Sequence, residues 1–416
     1  MTGLPSPLMS GAAIRARIDA LAAISAQPDG LTRVFASPEQ RRAAALVLGW
    51  MRESGMTAHE DAIGNVVGRY EAAVPGAKAV LLGSHLDSVR DAGRWDGPLG
   101  VVTAIACVDA LRRAQRRLPV AVEVVGFCDE EGTRFGATML GSRALTGRFD
   151  PALLDRTDGN GITMAAAMCD VGLDPARIGE AARRPEELAA YLELHIEQGP
   201  VLEREGLPVG CVTAIAGQTR LQVTLTGMAG HAGTVPMPGR HDALAAAAGM
   251  VLAIEAAAQA EVGSVATVGR LEAHPGAVNV IAGRAAFPVD LRAPQDETRA
   301  RLRARVERAI GGIASARGVA AAIATTHEEP AAPCAAPLRR MIVAAIAAQG
   351  HTVLSLPSGA GHDAMEMAAI APIGMVFVRC RGGLSHHPDE HVSDADAEAG
   401  ARVLHGLLPR FPEPTP

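Results

Sequence analysis

The stretch that most restricts how this chain can fold is Ala79-Val-Leu-Leu-Gly-Ser-His-Leu-Asp-Ser-Val-Arg-Asp-Ala-Gly-Arg-Trp-Asp-Gly-Pro-Leu-Gly100. It begins as a short apolar strand, breaks at Gly83, and presents His85, Asp87 and Asp96 on a glycine-punctuated loop. Pro98 then marks a helix start, because a proline at the first helical position gives up an N–H that has no partner there. A helical pattern follows from Leu99 to about Gln115. Strand, polar loop and helix together place side chains at the carboxyl end of a parallel sheet, where open α/β folds build their sites. An imidazole and two carboxylates on one such loop suit a metal ion, zinc or, where oxygens dominate, manganese. Decoration of an ordinary turn is the alternative for this loop taken alone.

The same layout recurs along the chain. Val120 to Phe127 reads as a strand that runs straight into Cys128-Asp-Glu-Glu-Gly132. Strand, helix and strand here form a βαβ unit, with parallel strands and adjacent polar loops. Tyr191 to Pro200 is strand-like and carries His195, and the strand Ile373–Val378 leads into Gly382-Gly-Leu-Ser-His-His-Pro388. Helices are expected up to Ala26, from Ser37-Pro-Glu-Gln40 to Glu53, from Arg339 to Gln349, and after the capping box of Ser393 and Asp396. From about Thr213 the character changes: Arg220 to Thr226 alternates with period two, and β-α-β-β-α-β, the ferredoxin-like split pattern, follows. Two strands are expected between its helices, over Ser264–Leu271 and Ala285–Arg292.

The expected architecture is α/β. A mixed, mostly parallel sheet flanked by helices occupies residues 1–212 and 330–416, interrupted at 213–329 by a ferredoxin-like α+β domain serving as lid and dimerisation unit. The alanine-rich Ala243–Ala248 face of its first helix is expected to let two such domains approach closely.

At 416 residues the chain has length for two or three domains and a sizeable core. A net charge of −6 argues against general nucleic-acid binding. The one dense basic cluster, Arg112, Arg113, Arg116 and Arg117, sits at a helix end, where cations meet the dipole favourably. Six cysteines lack metal-like or disulfide-like spacing, and the apolar settings of Cys107 and Cys128 fit buried thiols. No basic segment followed by an apolar core opens the chain, and the apolar run Ala243–Ile254 is too short to span a bilayer. A soluble cytoplasmic protein is expected, with neither nucleic acid nor membrane as partner.

His85, Asp87, Asp96, Glu130, Glu131, His195 and His386 all follow or end apolar strands, and such strand ends converge in space. One histidine on a strand is ordinary; three histidines and four acids at equivalent positions point to one centre. The adjacent pair Glu130-Glu131 is the most telling. Two neighbouring carboxylates repel unless a cation lies between them or one holds a proton.

Several motifs then carry a resemblance. Gly83-Ser-His-Leu-Asp-Ser-Val89 with Trp95-Asp-Gly97, Asp129-Glu-Glu-Gly-Thr-Arg-Phe135, Leu194-His-Ile-Glu-Gln-Gly199, Gly230-His-Ala-Gly-Thr-Val-Pro-Met237 and Leu384-Ser-His386 resemble the two-metal amidohydrolases of the hydantoinase/carbamoylase group. That group is related to the aminoacylases and metallo-carboxypeptidases. It includes allantoate amidohydrolases, N-carbamoyl-L-amino-acid hydrolases and β-ureidopropionases. The resemblance runs in the same order over nearly the whole chain.

The resemblance implies two divalent ions, zinc or manganese, with cobalt and nickel suited nearly as well by the donor set. It makes His85 and His195 ligands of one ion, Glu131 and His386 ligands of the other, and Asp96 the bridge. Asp87 would stand behind His85, and Glu130 would be the general base. His387 follows His386 and is the alternative ligand in that loop. In the inserted domain, His231 would reach the neighbouring subunit's site in a homodimer and stabilise the oxyanion. Asn279 and Arg292 resemble binders of the substrate carboxylate, a task for which the planar arginine fork is suited. Gln198 and Arg220 are further candidate substrate contacts, each equally explained by a structural hydrogen bond or ion pair. The loop Ser358-Gly-Ala-Gly361 either aims backbone N–H groups, at Gly359 and Gly361, toward an anion or is an ordinary tight loop. Trp95 stands where the group usually has Tyr, and Ala282 where Pro is common.

The implied reaction is hydrolysis of the ureido C–N bond of a small carboxylate substrate. Allantoate comes first, because the Gly230 and Asp129 motifs look most like that branch. N-carbamoyl-L-amino-acid or β-ureidopropionate hydrolysis is the alternative, followed by aminoacylase or peptidase activity. A catalytically dead binding protein would require a lost base or ligand, and none is lost.

Overall fold

The structure is a computed structural model that describes residues 6–411. The chain folds as two compact units. One holds the residues up to Thr213, Cys334–Leu356 and Gly361 onward; the other holds Ala214–Pro333 and Pro357–Ala360. The inserted unit therefore runs a few residues past the expected boundary at 329 and takes in a short piece near residue 358. Pairing explains both: Ala332 and Pro333 pair with Ile215 and Ala214, and the Ala216 N–H donates to the Ser358 carbonyl at 2.9 Å.

The strands in chain order are β1 (Thr57–Glu60), β2 (Val66–Tyr70), β3 (Ala79–His85), β4 (Ala121–Phe127), β5 (Leu188–Ile196), β6 (Val209–Ile215), β7 (Gly217–Thr226), β8 (Gly230–His231), β9 (Val265–Thr267), β10 (Glu272–His274), β11 (Val280–Ile281), β12 (Arg284–Ala293), β13 (Ala320–Glu329), β14 (Ala332–Pro333), β15 (Ser355–Ser358) and β16 (Ile373–Val378). In the larger unit the sheet order is β1-β2-β4-β3-β5-β16-β6. The four central strands β4, β3, β5 and β16 are parallel, with antiparallel strands at the edges. This is an α/β fold with a parallel centre. β1 and β6 were not expected from sequence.

β3 and β4 are buried along their whole lengths, as strands in the middle of a covered parallel sheet are. The helix Pro98–Arg113 packs on β3 and is buried on nearly every side from Pro98 to Leu111. The last helix, Asp394–Leu407, starts as the capping box requires: the Asp396 N–H donates to Ser393 Oγ at 3.1 Å.

The second unit has an antiparallel sheet in the order β10-β12-β7-β13, with β9 also on β12. The strand expected over Ser264–Leu271 shrinks to β9, and β10 follows just beyond its expected end; the two pair with opposite ends of β12. β7 alternates buried and partly exposed residues, one face toward the helices Ala243–Gln259 and Asp296–Arg317. The alanine face is corrected in part: Ala248 is exposed and Ala245 partly so, but the other three alanines turn inward. Ala243, Ala246 and Ala247 are buried in this unit's own core with Leu221 and Phe287. They recur at helical spacing with Met250 and Ile254, so they form the seam against the sheet and offer nothing to a partner.

Candidate metal centre and catalytic site

The parallel strands bring their carboxyl ends side by side. His85 ends β3 opposite Phe127 at the end of β4, and His195 on β5 lies opposite Phe377 on β16. The loops that follow supply the acids. Asp96 sits among three histidines: its Oδ1 is 3.0 Å from His195 Nε2 and 3.5 Å from His85 Nε2, and its Oδ2 is 3.2 Å from His386 Nε2. His386 Nε2 is also 3.3 Å from Glu131 Oε1. Two donor groups thus share Asp96, namely His85 with His195 and Glu131 with His386. Glu130 joins His85 and Glu131 in a third cluster. His387 is not part of this arrangement; its Nδ1 accepts the Asp389 N–H at 3.1 Å.

The tautomers favour cation binding. His195 Nδ1 faces the Ile196 carbonyl at 2.9 Å and His85 Nδ1 faces the Asp87 carbonyl at 3.2 Å. A carbonyl only accepts, so each Nδ1 carries a proton and each Nε2 is left to face the carboxylate. A carboxylate has no hydrogen to give, so Nε2 there either takes up a second proton, which the neighbouring acids favour, or gives its lone pair to a cation. Without one or the other, Asp96 Oδ1 and His195 Nε2 are buried with no hydrogen bond. Buried orphans of this kind call for an explanation, and a divalent cation shared by nitrogen and oxygen donors supplies one.

The surrounding groups hold these side chains in place. Asp87 is fully buried, stands 3.4 Å from His85 Nδ1, and accepts the Glu130 and Glu131 N–H groups at 2.9 and 3.2 Å. Gly97 has φ +81°, and a Cβ there would lie 2.6 Å from the His85 ring. Only glycine meets both conditions. Gln198, a candidate for either a substrate contact or a structural hydrogen bond, makes the hydrogen bond to Asp96. Its Nε2 donates to Asp96 Oδ2 at 2.9 Å, and its Oε1 is buried. The reason is local: φ is +57° at Gln198, directly after β5, and that left-handed turn accompanies the inward amide. His386 is also left-handed, with φ +56°.

Several buried acids of the site were not anticipated. Glu193 accepts from Ser84 Oγ, Tyr191 OH and the Ala364 N–H, all at 3.1 Å. Asp363 accepts from Ser142 Oγ at 2.6 Å, and the His362 ring stands edge-on to His195 with centroids 4.5 Å apart. Glu390 accepts the Trp95 and Asp96 N–H groups. Glu193 had a signal, since it is two residues before His195 on one strand and shares its face. Glu390 and Asp363 had none beyond lying near the histidine motifs.

The electrostatics reflect the crowding of acids. Burial, and then Glu131, pushes the Glu130 carboxyl well above its usual range; burial, and then Asp87, does the same to Asp129. Burial opposes charge on His85 and His195, but their carboxylate neighbours outweigh it and raise both. Hydrogen bonding to Asp96 and Glu131 lifts His386 to about 10. Such concentrated shifts are typical of functional sites.

The second unit carries the remaining candidates. His231 on β8 is exposed, and its Nδ1 accepts the Gly233 N–H at 3.1 Å, leaving Nε2–H as an outward donor. Asn279 adjoins it: the Ala232 N–H donates to the Asn279 carbonyl at 2.9 Å. Arg292 donates to Asp290 through Nε at 2.9 Å and to the Gly359 carbonyl through Nη1 at 2.8 Å. Arg220 Nε reaches the same Asp290 at 3.3 Å, an ion pair. The Gly359 carbonyl, rather than an N–H, is the group in use in that loop. Gly361, in the larger unit, lies close to Glu130, whose Oε1 would be 3.9 Å from a Cβ there.

Residues 81–410 match the pattern of peptidase family M20/M25/M40. An N-carbamoyl-L-amino acid amidohydrolase of Geobacillus stearothermophilus is 42% identical over 403 residues, covering 96% of this chain and 98% of its own. A probable allantoate deiminase of Oryza sativa subsp. japonica is 40% identical over 421 residues, covering 93% and 86%. The crystal structure of a hydantoinase/carbamoylase family amidase from Burkholderia multivorans superposes with a TM-score of 0.90 at 34% identity, covering 97% of this chain and 99% of that one.

Proposed function

The chain belongs to peptidase family M20/M25/M40, and on that premise we propose that it is a two-cation amidohydrolase of ureido acids. Allantoate is the first substrate, on the likeness of the Gly230–Met237 and Asp129–Phe135 motifs to that branch. An N-carbamoyl-L-amino acid is the second, supported by the relative at 42% identity. The observation that carries the reading is Asp96 standing between two donor groups, with its Oδ1 and His195 Nε2 buried and unpaired.

His85 and His195 would hold one divalent cation, Glu131 and His386 the other, with Asp96 common to both. Zinc, manganese, cobalt and nickel all suit this set of nitrogen and oxygen donors. Cations held there supply Lewis acidity toward the carbonyl and make a nearby water more acidic. Glu130, whose carboxyl is held above its usual range, takes a proton from the attacking water and returns it to the leaving nitrogen. Asp87 keeps His85 in the tautomer with a free Nε2. The His231 Nε2–H is the donor for the oxygen that becomes negative, and Arg292 with Asn279 binds the substrate carboxylate.

One water adds to the ureido carbonyl, and one C–N bond breaks. The carbamate that remains decomposes, so the products are the amine, ammonia and carbon dioxide.

A homodimer through the inserted unit fits its exposed apolar side chains: Leu244, Leu252, Val262 and Val265 lie outside that unit's core on a helix, the turn after it and the strand beside it. Among the described residues no helix is long and apolar enough to cross a membrane. All six cysteines are free thiols, which suits a reducing cytoplasm. The functional test is cation-dependent ammonia release from ureido acids. Loss of that release when the substrate carboxylate is converted to its amide supports the Arg292 assignment; equal turnover of acid and amide contradicts it.

A further inference from the structure

Glu390 plays no part in the chemistry above, yet it is 4% exposed and fully engaged. Its Oε1 accepts the Trp95 N–H at 2.8 Å and the Asp96 N–H at 3.1 Å, and its Oε2 accepts from Ser385 Oγ at 3.0 Å. The Ser385 hydroxyl lies 2.9 Å from Asp96 Oδ2 as well. Behind the carboxylate is Gly93, where a Cβ would fall 2.3 Å from Glu390 Cβ and Cδ. The missing side chain is what lets Glu390 reach the Asp96 loop. On its own segment, the Glu390 N–H donates to the His387 carbonyl at 3.0 Å and closes the turn that follows His386. Trp95 meets His391 edge-on, with centroids 6.4 Å apart.

We propose that Glu390 is a positioning residue that clamps the Asp96 loop to the His386 loop and so sets the spacing of the ligands of the second cation. The inference rests on the reading of Asp96 and His386 as ligands. The clamp acts on Asp96 twice, through its backbone N–H and through the single Ser385 hydroxyl hydrogen that the two carboxylates share. It acts on His386 through the turn at residues 387–390. The first pair, His85 and His195, sits at the ends of strands and owes its placement to the sheet. The His386 loop is irregular and has no such support. Outer partners of metal ligands typically change metal affinity by about 10- to 100-fold.

The test is a cobalt(II) titration of chelator-stripped protein, read by visible absorption and by metal content after equilibrium dialysis. Wild type is expected to take up two cobalt ions per chain. Glu390→Ala should weaken the second ion by about 10- to 100-fold and the first by clearly less, since the first shares Asp96 but keeps His85 and His195 on the sheet. Glu390→Gln should restore most of the loss, since its carbonyl still accepts the two N–H groups and its amide donates to Ser385 Oγ. Gly93→Ala should repeat the Glu390→Ala loss, and the double variant should be no worse. Glu390→Ala binding both ions like wild type overturns the proposal, as does equal weakening of both ions, the mark of a merely structural role. Failure of Glu390→Gln to rescue also overturns it, because charge would then matter in place of geometry. If Glu390→Ala does not fold, Gly93→Ala and Ser385→Ala decide by the same criterion. A wild-type protein that does not bind two ions refutes the two-cation reading itself, and is thereby told apart from failure of the clamp alone.

Discussion

His195 Nε2 and Asp96 Oδ1 face each other across 3.0 Å, both buried, and neither completes a hydrogen bond. The Ile196 carbonyl takes the proton of Nδ1, so Nε2 is the nitrogen that faces the carboxylate. Two acceptors held this close inside a protein repel unless a second proton or a metal cation joins them. Through Oδ2 the same carboxylate lies 3.2 Å from Nε2 of His386, a half-exposed ring that itself stands against Glu131.

The first prediction separates neighbours. His386→Ala should cost the protein about one equivalent of bound cation, measured by metal analysis after dialysis. His387→Ala should cost none, since that ring is exposed and hydrogen-bonded to its own turn. Metal loss in His387→Ala alone contradicts the geometry of this loop.

Glu130→Gln should keep both cations and lower kcat by at least about 100-fold, because it removes a proton carrier and leaves coordination intact. Steady-state kinetics beside metal analysis checks this. Near-normal turnover at full cation content would move the base elsewhere.

Much of this site was legible because each ligand ends or follows an apolar strand. Ala79 to Gly83 and Val120 to Phe127 read as apolar strands; the first continues two residues further, to His85, and parallel pairing sets His85 beside the loop that follows Phe127. What escaped reading depends on contacts made only in three dimensions. Glu390 is an acid near two histidines in sequence, and its partners Trp95 and Asp96 lie 295 and 294 residues away. Gln198 stayed open between a substrate contact and a structural hydrogen bond, because nothing in its sequence signals a left-handed φ. The alanines of the helix Ala243–Gln259 misled for a different reason. Alanine is small enough to suit either a close helix contact or a tight seam against a sheet, and its neighbours Met250 and Ile254 decided for the seam.

Stripped of cations, the protein should lose stability as pH rises. Burial and like charges raise Glu130 and Asp129 well above 4.5 and 3.8, and carboxylate neighbours raise His85 and His195 above 6.5. A group raised on folding stabilises fully below its unfolded value, and that contribution is lost as pH climbs through its folded value. Thermal midpoints in chelator should therefore fall from about pH 5 upward, while added divalent cation should flatten the decline. A midpoint that rises steadily with pH in chelator is the opposite sign and contradicts the crowding of acids.

If His231 acts across a homodimer, inactive His231→Ala and inactive Glu130→Gln proteins should complement each other. A mixed dimer carries one site with both groups and one with neither. Exchanged dimers would recover up to about half of wild-type turnover. No recovery in dimers shown to have exchanged places His231 in its own subunit's site or outside the chemistry.

The most direct measurement compares substrates on one preparation. Chelator-treated protein is reloaded with zinc, manganese, cobalt or nickel and offered allantoate, N-carbamoyl-L-amino acids and dipeptides side by side, with ammonia and free amine both quantified. A ureido-acid hydrolase releases ammonia from allantoate or the N-carbamoyl amino acids only when a cation is present, and leaves the dipeptides uncut. Dipeptide cleavage without ammonia from any ureido acid would contradict that reading and make the chain a peptidase.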